Sequence, residues 1–106
     1  SNMAGIMSGK RGLIMGVAND RSLAWGIAKA IAEQGGELAF SFQGEALEKR
    51  VRPLAESLGV ARLYACDVSD PASMDACFAA LAAEWPTIDF LVHAIGFSDK
   101  NELRGR

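Results

Sequence analysis

Cysteine and histidine are scarce in this chain: two cysteines and one histidine among 106 residues. Two cysteines cannot build a disulfide framework. Cys66 and Cys77 both fall in apolar stretches, which suits small buried hydrophobes in a reducing cytoplasm. One histidine and two cysteines distant in sequence give no metal-ligand spacing, so no metal site is expected. Charge of one sign is lacking too. The formal net charge is −2, with cations and anions scattered, and nothing marks a nucleic-acid partner. The tail from Lys100 to Arg106 carries three cations but reads as a solvated loop. No apolar run approaches the roughly 20 residues of a membrane span, and no signal-peptide pattern opens the chain. Ser1-Asn2 ahead of Met3 reads as a remnant of expression, outside the fold.

What the chain has is a hydrophobic half and a steady alternation of strand and helix signals. Its length suits one small domain, 1–106. Arg11 to Gly16 reads as a first strand. Ser22 to about Gln34 reads as a helix, with Leu23, Ile27, Ala30 and Ile31 on one face and Gly35-Gly36 as its stop. Glu37 to Phe42 is a second strand. Leu47, Val51, Leu54 and Leu58 recur at helical spacing before Gly59, and Pro53 should interrupt and kink that helix. Arg62 to Cys66 is a third strand. Asp70-Pro71 then supplies an N-cap and a first-turn proline for a helix with Met74, Cys77, Phe78, Leu81 and Trp85 as its apolar stripe. Pro86 ends it, and Ile88 to Ile95 is a fourth strand. Strands separated by single helices imply parallel pairing through right-handed crossovers. The expected fold is α/β, a Rossmann-like doubly wound parallel sheet in the order 3-2-1-4 with helices on both faces. That sheet is incomplete without a C-terminal half, because Phe90-Leu91-Val92 would otherwise form an apolar edge.

Four positions carry chemistry, each at the end of a strand. Gly16 closes the first strand, where a side chain would hold off a cofactor backbone. Ser22 opens the following helix; its hydroxyl and the Leu23 N–H face the place where helix N-termini bind phosphate, although Ser22 alone also reads as a simple N-cap. Gly26, one turn on, would let helix and sheet approach closely. The run does not match G-x-G-x-x-G, so the generic fingerprint does not apply. Gln43 ends the second strand, where NAD-binding folds usually place an acid for the ribose hydroxyls. Its neutral amide can bond a ribose, and no adjoining arginine attracts a 2′-phosphate, which favours NADH over NADPH. Asp67-Val68 follows the third strand and suits adenine, carboxylate to amino group and N–H to ring nitrogen; a second helix cap is the plainer alternative. Ala94-Ile95-Gly96 ends the fourth strand beside the point where strand order reverses, near the middle of a bound cofactor. His93 reads as a packed or hydrogen-bonded structural residue, and Tyr64 as part of the core.

Taken together, Ser8-Gly9-Lys10-Arg11, Gly16-Val17-Ala18 with Ser22-Leu23-Ala24-Trp25-Gly26, Glu37-Leu38-Ala39-Phe40, Cys66-Asp67-Val68 and His93-Ala94-Ile95-Gly96-Phe97 resemble the bacterial enoyl-acyl-carrier-protein reductases of the FabI type. These are divergent short-chain dehydrogenase/reductases. The resemblance implies NADH as cofactor, with Gly16, Ser22, Leu23, Gln43, Asp67, Val68, Ile95 and Gly96 as its contacts. Phe97 and Ser98 would border the enoyl pocket. Ala94 stands where the family often has serine. The implied reaction reduces a trans-2-enoyl thioester on acyl carrier protein, the last step of each elongation cycle of type II fatty acid biosynthesis. Charge develops on the thioester oxygen and needs a hydrogen-bond donor. The family uses a tyrosine and a following lysine; neither is matched here, so no catalytic residue is assigned and that pair is expected beyond Arg106. The resemblance also implies a cytoplasmic homotetramer with no membrane or nucleic-acid partner. The alternatives are another short-chain reductase, such as one acting on 3-oxoacyl groups, and a non-catalytic dinucleotide-binding module.

Overall fold

Seven elements alternate along the chain in the computed structural model, which describes residues 5–94. They are β1 (Arg11–Met15), α1 (Leu23–Glu33), β2 (Glu37–Phe42), α2 (Glu45–Ser57), β3 (Arg62–Ala65), α3 (Pro71–Glu84) and β4 (Phe90–His93). The four strands form one parallel sheet in the order β3-β2-β1-β4. Ile14 lies opposite Phe40 on one side and Val92 on the other, so β1 is an inner strand, and the strand order reverses between it and β4.

Side-chain alternation along β1 and β2 divides the core in two. Ile14, Leu38 and Phe40 pack with Ala24, Trp25 and Ala28 of α1 and Val51 and Ala55 of α2. Leu13, Met15 and Ala39 point the other way, onto Cys77 and Leu81 of α3 and onto Trp85. Helices therefore cover both faces. Phe40 is fully buried and meets the edge of Trp25 with ring centroids 6.5 Å apart. A side chain of that size contributes roughly 2–3 kcal/mol on leaving water.

The helix boundaries follow from local chemistry. Ser22 caps α1 by accepting from the Trp25 N–H, and Asp70 caps α3 by accepting from the Ala72 N–H with Pro71 next in line. Gly35, at φ +89°, takes the left-handed conformation that ends α1. Among the described residues no helix is long and apolar enough to cross a membrane.

Several expectations need correcting. Helix α2 continues through Pro53 to Ser57, leaving only the Lys49 carbonyl without its usual donor. The α3 stripe buries Cys77, Leu81 and Trp85, but Met74 and Phe78 are only half-buried, and the opposite side is largely exposed alanine. With alanine rather than charge on the outward side, α3 shows little polarity contrast between its two faces. Gly26 is exposed, and among the described residues a β-carbon there would meet open space, so it does not serve helix–sheet packing. Tyr64 is half-buried at the α3 side, and its hydroxyl donates to Glu84 at 2.8 Å. β4 starts at Phe90 because Asp89 is held at the start of β1: its carboxylate accepts from the Arg11 N–H at 2.8 Å and its own N–H donates to the Arg11 carbonyl at 2.7 Å. Leu91 is 52% exposed on this outer strand. Ile95, and with it the last residue expected in β4, lies outside the described residues.

Candidate functional site

Parallel strands all end at the same edge of the sheet, and there the chain forms a crevice of about 290 Å³. Its walls are Met15 at the end of β1 and residues 16–18 after it, residues 41–43 of β2 and the turn beyond, Leu47 of α2, Cys66 and Val68 after β3, and His93 of β4. A larger depression of about 510 Å³ runs beside α2 from Glu45 to Glu56, but it is lined by a single helix and no chemistry converges there.

Gly16 has φ +99°, a conformation that excludes most side chains, and a β-carbon there would collide with the Ala94 carbonyl oxygen. The turn that follows is held by Asn19. Its side-chain oxygen accepts from the Arg21 N–H at 2.8 Å, and its carbonyl accepts from the Ser22 N–H at 3.2 Å and the Ser22 hydroxyl at 2.9 Å. Ser22 therefore both donates to Asn19 and accepts from Trp25 at 3.2 Å. To donate to a phosphate its hydroxyl must rotate away from Asn19. The N–H groups at the start of α1, Leu23 among them, have no intrahelical acceptor by geometry and sit at the positive end of the helix. The Leu23 side chain is 72% exposed.

Asp67 is tied into its own turn. One carboxylate oxygen accepts from the Ser69 N–H at 2.9 Å and the Ser69 hydroxyl at 2.6 Å, and the Asp67 N–H donates to the Ser73 hydroxyl at 2.8 Å. The Ser69 hydroxyl, and then its N–H, hold the Asp67 carboxyl below its ordinary value. Both of these bonds fall on one oxygen, and among the described residues no donor reaches the other. Asp67 is not the cap of α3, since Asp70 fills that role.

The crevice thus brings together Gly16, Gln43 and Val68 of the expected contacts. Ser22, Leu23 and Asp67 are not in its lining; Asp67 stands between the lining residues Cys66 and Val68, whereas Ser22 and Leu23 follow the lining residue Ala18 only after the turn at 19–21. Ile95, Gly96, Phe97 and Ser98 lie outside the described residues.

The family model for enoyl-(acyl carrier protein) reductase matches residues 16–106. The chain belongs to that family. It is 62% identical over 103 residues to enoyl-[acyl-carrier-protein] reductase [NADH] 1 of Rhizobium meliloti, covering 97% of this chain and 38% of that protein. It is 48% identical over 102 residues to the FabI enzyme of Rickettsia bellii, covering 96% and 39%. Among solved structures, the Anaplasma phagocytophilum reductase in complex with NAD matches with a TM-score of 0.87 at 59% identity, covering 98% of this chain and 40% of that one. FabI from Candidatus Liberibacter asiaticus matches with a TM-score of 0.89 at 56% identity, over 98% and 40%. The chain spans about two fifths of the length of these relatives.

Sequence reasoning missed several residues that shape the crevice and its turns. Asn19 and Ser73 organise the two turns, and Leu47, Cys66 and His93 line the crevice. Asn-Asp in the first turn is a recognisable turn signal. Ser73 and Leu47 reach the site from helices, at positions that strand-end reasoning does not inspect. His93, expected to be packed, is exposed at the crevice.

Proposed function

We propose that this chain is the N-terminal, dinucleotide-holding part of a Rossmann-type enoyl-acyl-carrier-protein reductase that uses NADH. The observation that carries the reading is the crevice at the common carboxyl edge of four parallel strands, bounded by the Gly16 turn. Ligands of open parallel sheets bind at this edge, beside the strand-order reversal between β1 and β4. Membership in the reductase family, and the NADH-dependent names of its relatives, support the same cofactor.

The dinucleotide supplies the hydride; this chain's residues bind and orient it. Gly16 leaves room for the pyrophosphate, which the first N–H groups of α1 and Ser22 receive. Gln43 takes the adenosine ribose, and its neutral side chain gives no charge to attract a 2′-phosphate. Asp67 accepts from the adenine amino group through its second oxygen while the Val68 N–H pairs with the ring. Ile95 and Gly96 complete the nicotinamide end, and Phe97 and Ser98 border the enoyl group. The substrate is a trans-2-enoyl thioester on acyl carrier protein, reduced to the saturated acyl form in a cytoplasmic homotetramer.

The test is an assay of the full-length protein with NADH and a trans-2-enoyl thioester of acyl carrier protein, followed by loss of NADH absorbance. Turnover with NADH well above that with NADPH is expected. Reduction of 3-oxoacyl thioesters instead, or NADH binding without any turnover, would overturn the reading.

A further inference from the structure

Among the described residues, all but one of the polar atoms of Asp67 are engaged inside its own turn. Its N–H donates to the Ser73 hydroxyl at 2.8 Å, and its carbonyl accepts from the Asp70 N–H at 3.0 Å. One carboxylate oxygen accepts twice from Ser69, from the N–H at 2.9 Å and from the hydroxyl at 2.6 Å. The N–H bond alone makes the turn that aspartate often forms with the backbone two residues on. The hydroxyl bond is an addition to it, and its length is that of a hydroxyl donating to an ionised carboxylate. Val68, the next residue, lines the crevice and is 44% exposed. Its N–H finds no acceptor among the described residues. One acceptor and one donor are therefore left unused on adjacent residues.

We propose that Ser69 is a positioning residue: by fixing one oxygen of Asp67 it presets the other, and so makes the site select a purine with an amino group at C6 over one with a carbonyl there. This role rests on the adenine placement proposed above.

Adenine presents an amino donor at C6 and an acceptor at N1, which match the Asp67 oxygen and the Val68 N–H. Hypoxanthine exchanges both, with a carbonyl oxygen at C6 and an N–H at N1. Against a fixed carboxylate the exchange sets acceptor to acceptor and donor to donor, and neither pair can bond. The Ser69 hydroxyl also favours the ionised carboxyl, which has no proton to offer a C6 carbonyl. A carboxylate free to turn would escape the repulsion by swinging into water. It would also hold adenine less well, because binding would then have to order the side chain. Loss of the Ser69 hydroxyl thus lowers the preference from both sides. A serine that only stabilised the turn would alter both affinities alike.

The experiment measures dissociation constants of NADH and of reduced nicotinamide hypoxanthine dinucleotide for the full-length protein, by nicotinamide fluorescence. These two cofactors differ only at C6 and N1 of the purine. The wild type should bind NADH at least about 10-fold more tightly. In Ser69→Ala, which keeps the backbone bond, that ratio should fall by about 5-fold. Ser69→Thr, which keeps the hydroxyl, should retain the wild-type ratio. Any loss of folded protein scales both constants equally, so the ratio can be read even in a destabilised variant. An unchanged ratio in Ser69→Ala, or an equal fall in Ser69→Thr, would overturn the role of Ser69 and leave the adenine placement standing. Equal binding of both dinucleotides by the wild type would remove adenine from Asp67, and the role of Ser69 with it.

Discussion

The Ala94 carbonyl oxygen occupies the space that a β-carbon on Gly16 would need. The closing turn of the crevice and the end of the outer strand are thus built against each other, with the Ala94 N–H donating back to the Met15 carbonyl at 3.2 Å. Gly16 is required twice, by its own φ of +99° and by this contact, before any ligand is considered.

Gly16→Val should therefore damage fold and binding together. Strain and the clash with Ala94 should cost about 2–4 kcal/mol, read as a lower denaturation midpoint of the full-length protein. NADH affinity measured by calorimetry should fall severely. An unchanged midpoint would contradict the packing described for Gly16; unchanged affinity would remove the pyrophosphate from this turn.

Ser22 allows cap and ligand to be separated. Ser22→Ala removes the acceptor for Trp25 and should cost about 1 kcal/mol. Ser22→Asp keeps a good cap, so stability should hold, but it sets a carboxylate beside the pyrophosphate. NADH affinity should then drop by at least about 10-fold through like-charge repulsion. Affinity equal to the wild type would mean that α1 does not receive the phosphate.

Asp67→Asn preserves an oxygen for Ser69, so the turn and the thermal midpoint should be nearly unchanged. The KM for NADH should rise several-fold as the adenine amino group loses a charged acceptor. Because the Asp67 carboxyl is held below its ordinary value, its contribution is complete above the unfolded value. It is lost only as pH falls through the lowered folded value. A KM that is the same for both proteins would remove Asp67 from the adenine site.

Tyr64 predicts a change at the alkaline end. Burial, then the hydrogen bond to Glu84 and its charge, raise the Tyr64 hydroxyl from 10.0 to about 12. The neutral phenol is the form favoured in the folded protein, so its contribution is fully present below pH 10 and is lost as pH rises towards 12. Denaturant unfolding across that interval should show a steeper loss for the wild type than for Tyr64→Phe. At neutral pH the variant should be less stable by about 1 kcal/mol. Parallel pH curves would contradict the role of the Glu84 contact.

Much of this architecture was legible in the sequence because short-range signals carried it. Asp70-Pro71 fixed the start of α3, Gly35 the end of α1, and the alternation of single helices and strands the parallel order. What escaped depends on contacts between distant residues. The polarity of Gly26 says nothing about which way α1 turns it, and only the fold points it to solvent. Pro53 signals an interruption and a kink, yet α2 is continuous from Glu45 to Ser57, with Val51 and Ala55 on either side of the proline buried in the core. Cys66 and Cys77 look unrelated until β3 and α3 stack. At the site, the strand ends could be counted from the sequence, but the bonds that occupy Ser22 and Asp67 could not.

The central claim is that the dinucleotide lies along the carboxyl ends of the four strands. A crystal structure of the full-length protein with NADH tests it most directly. The account predicts pyrophosphate density at the Gly16–Ser22 turn and adenine between Asp67 and Val68. Density for NADH at another surface, with this crevice filled by protein or solvent, would contradict it.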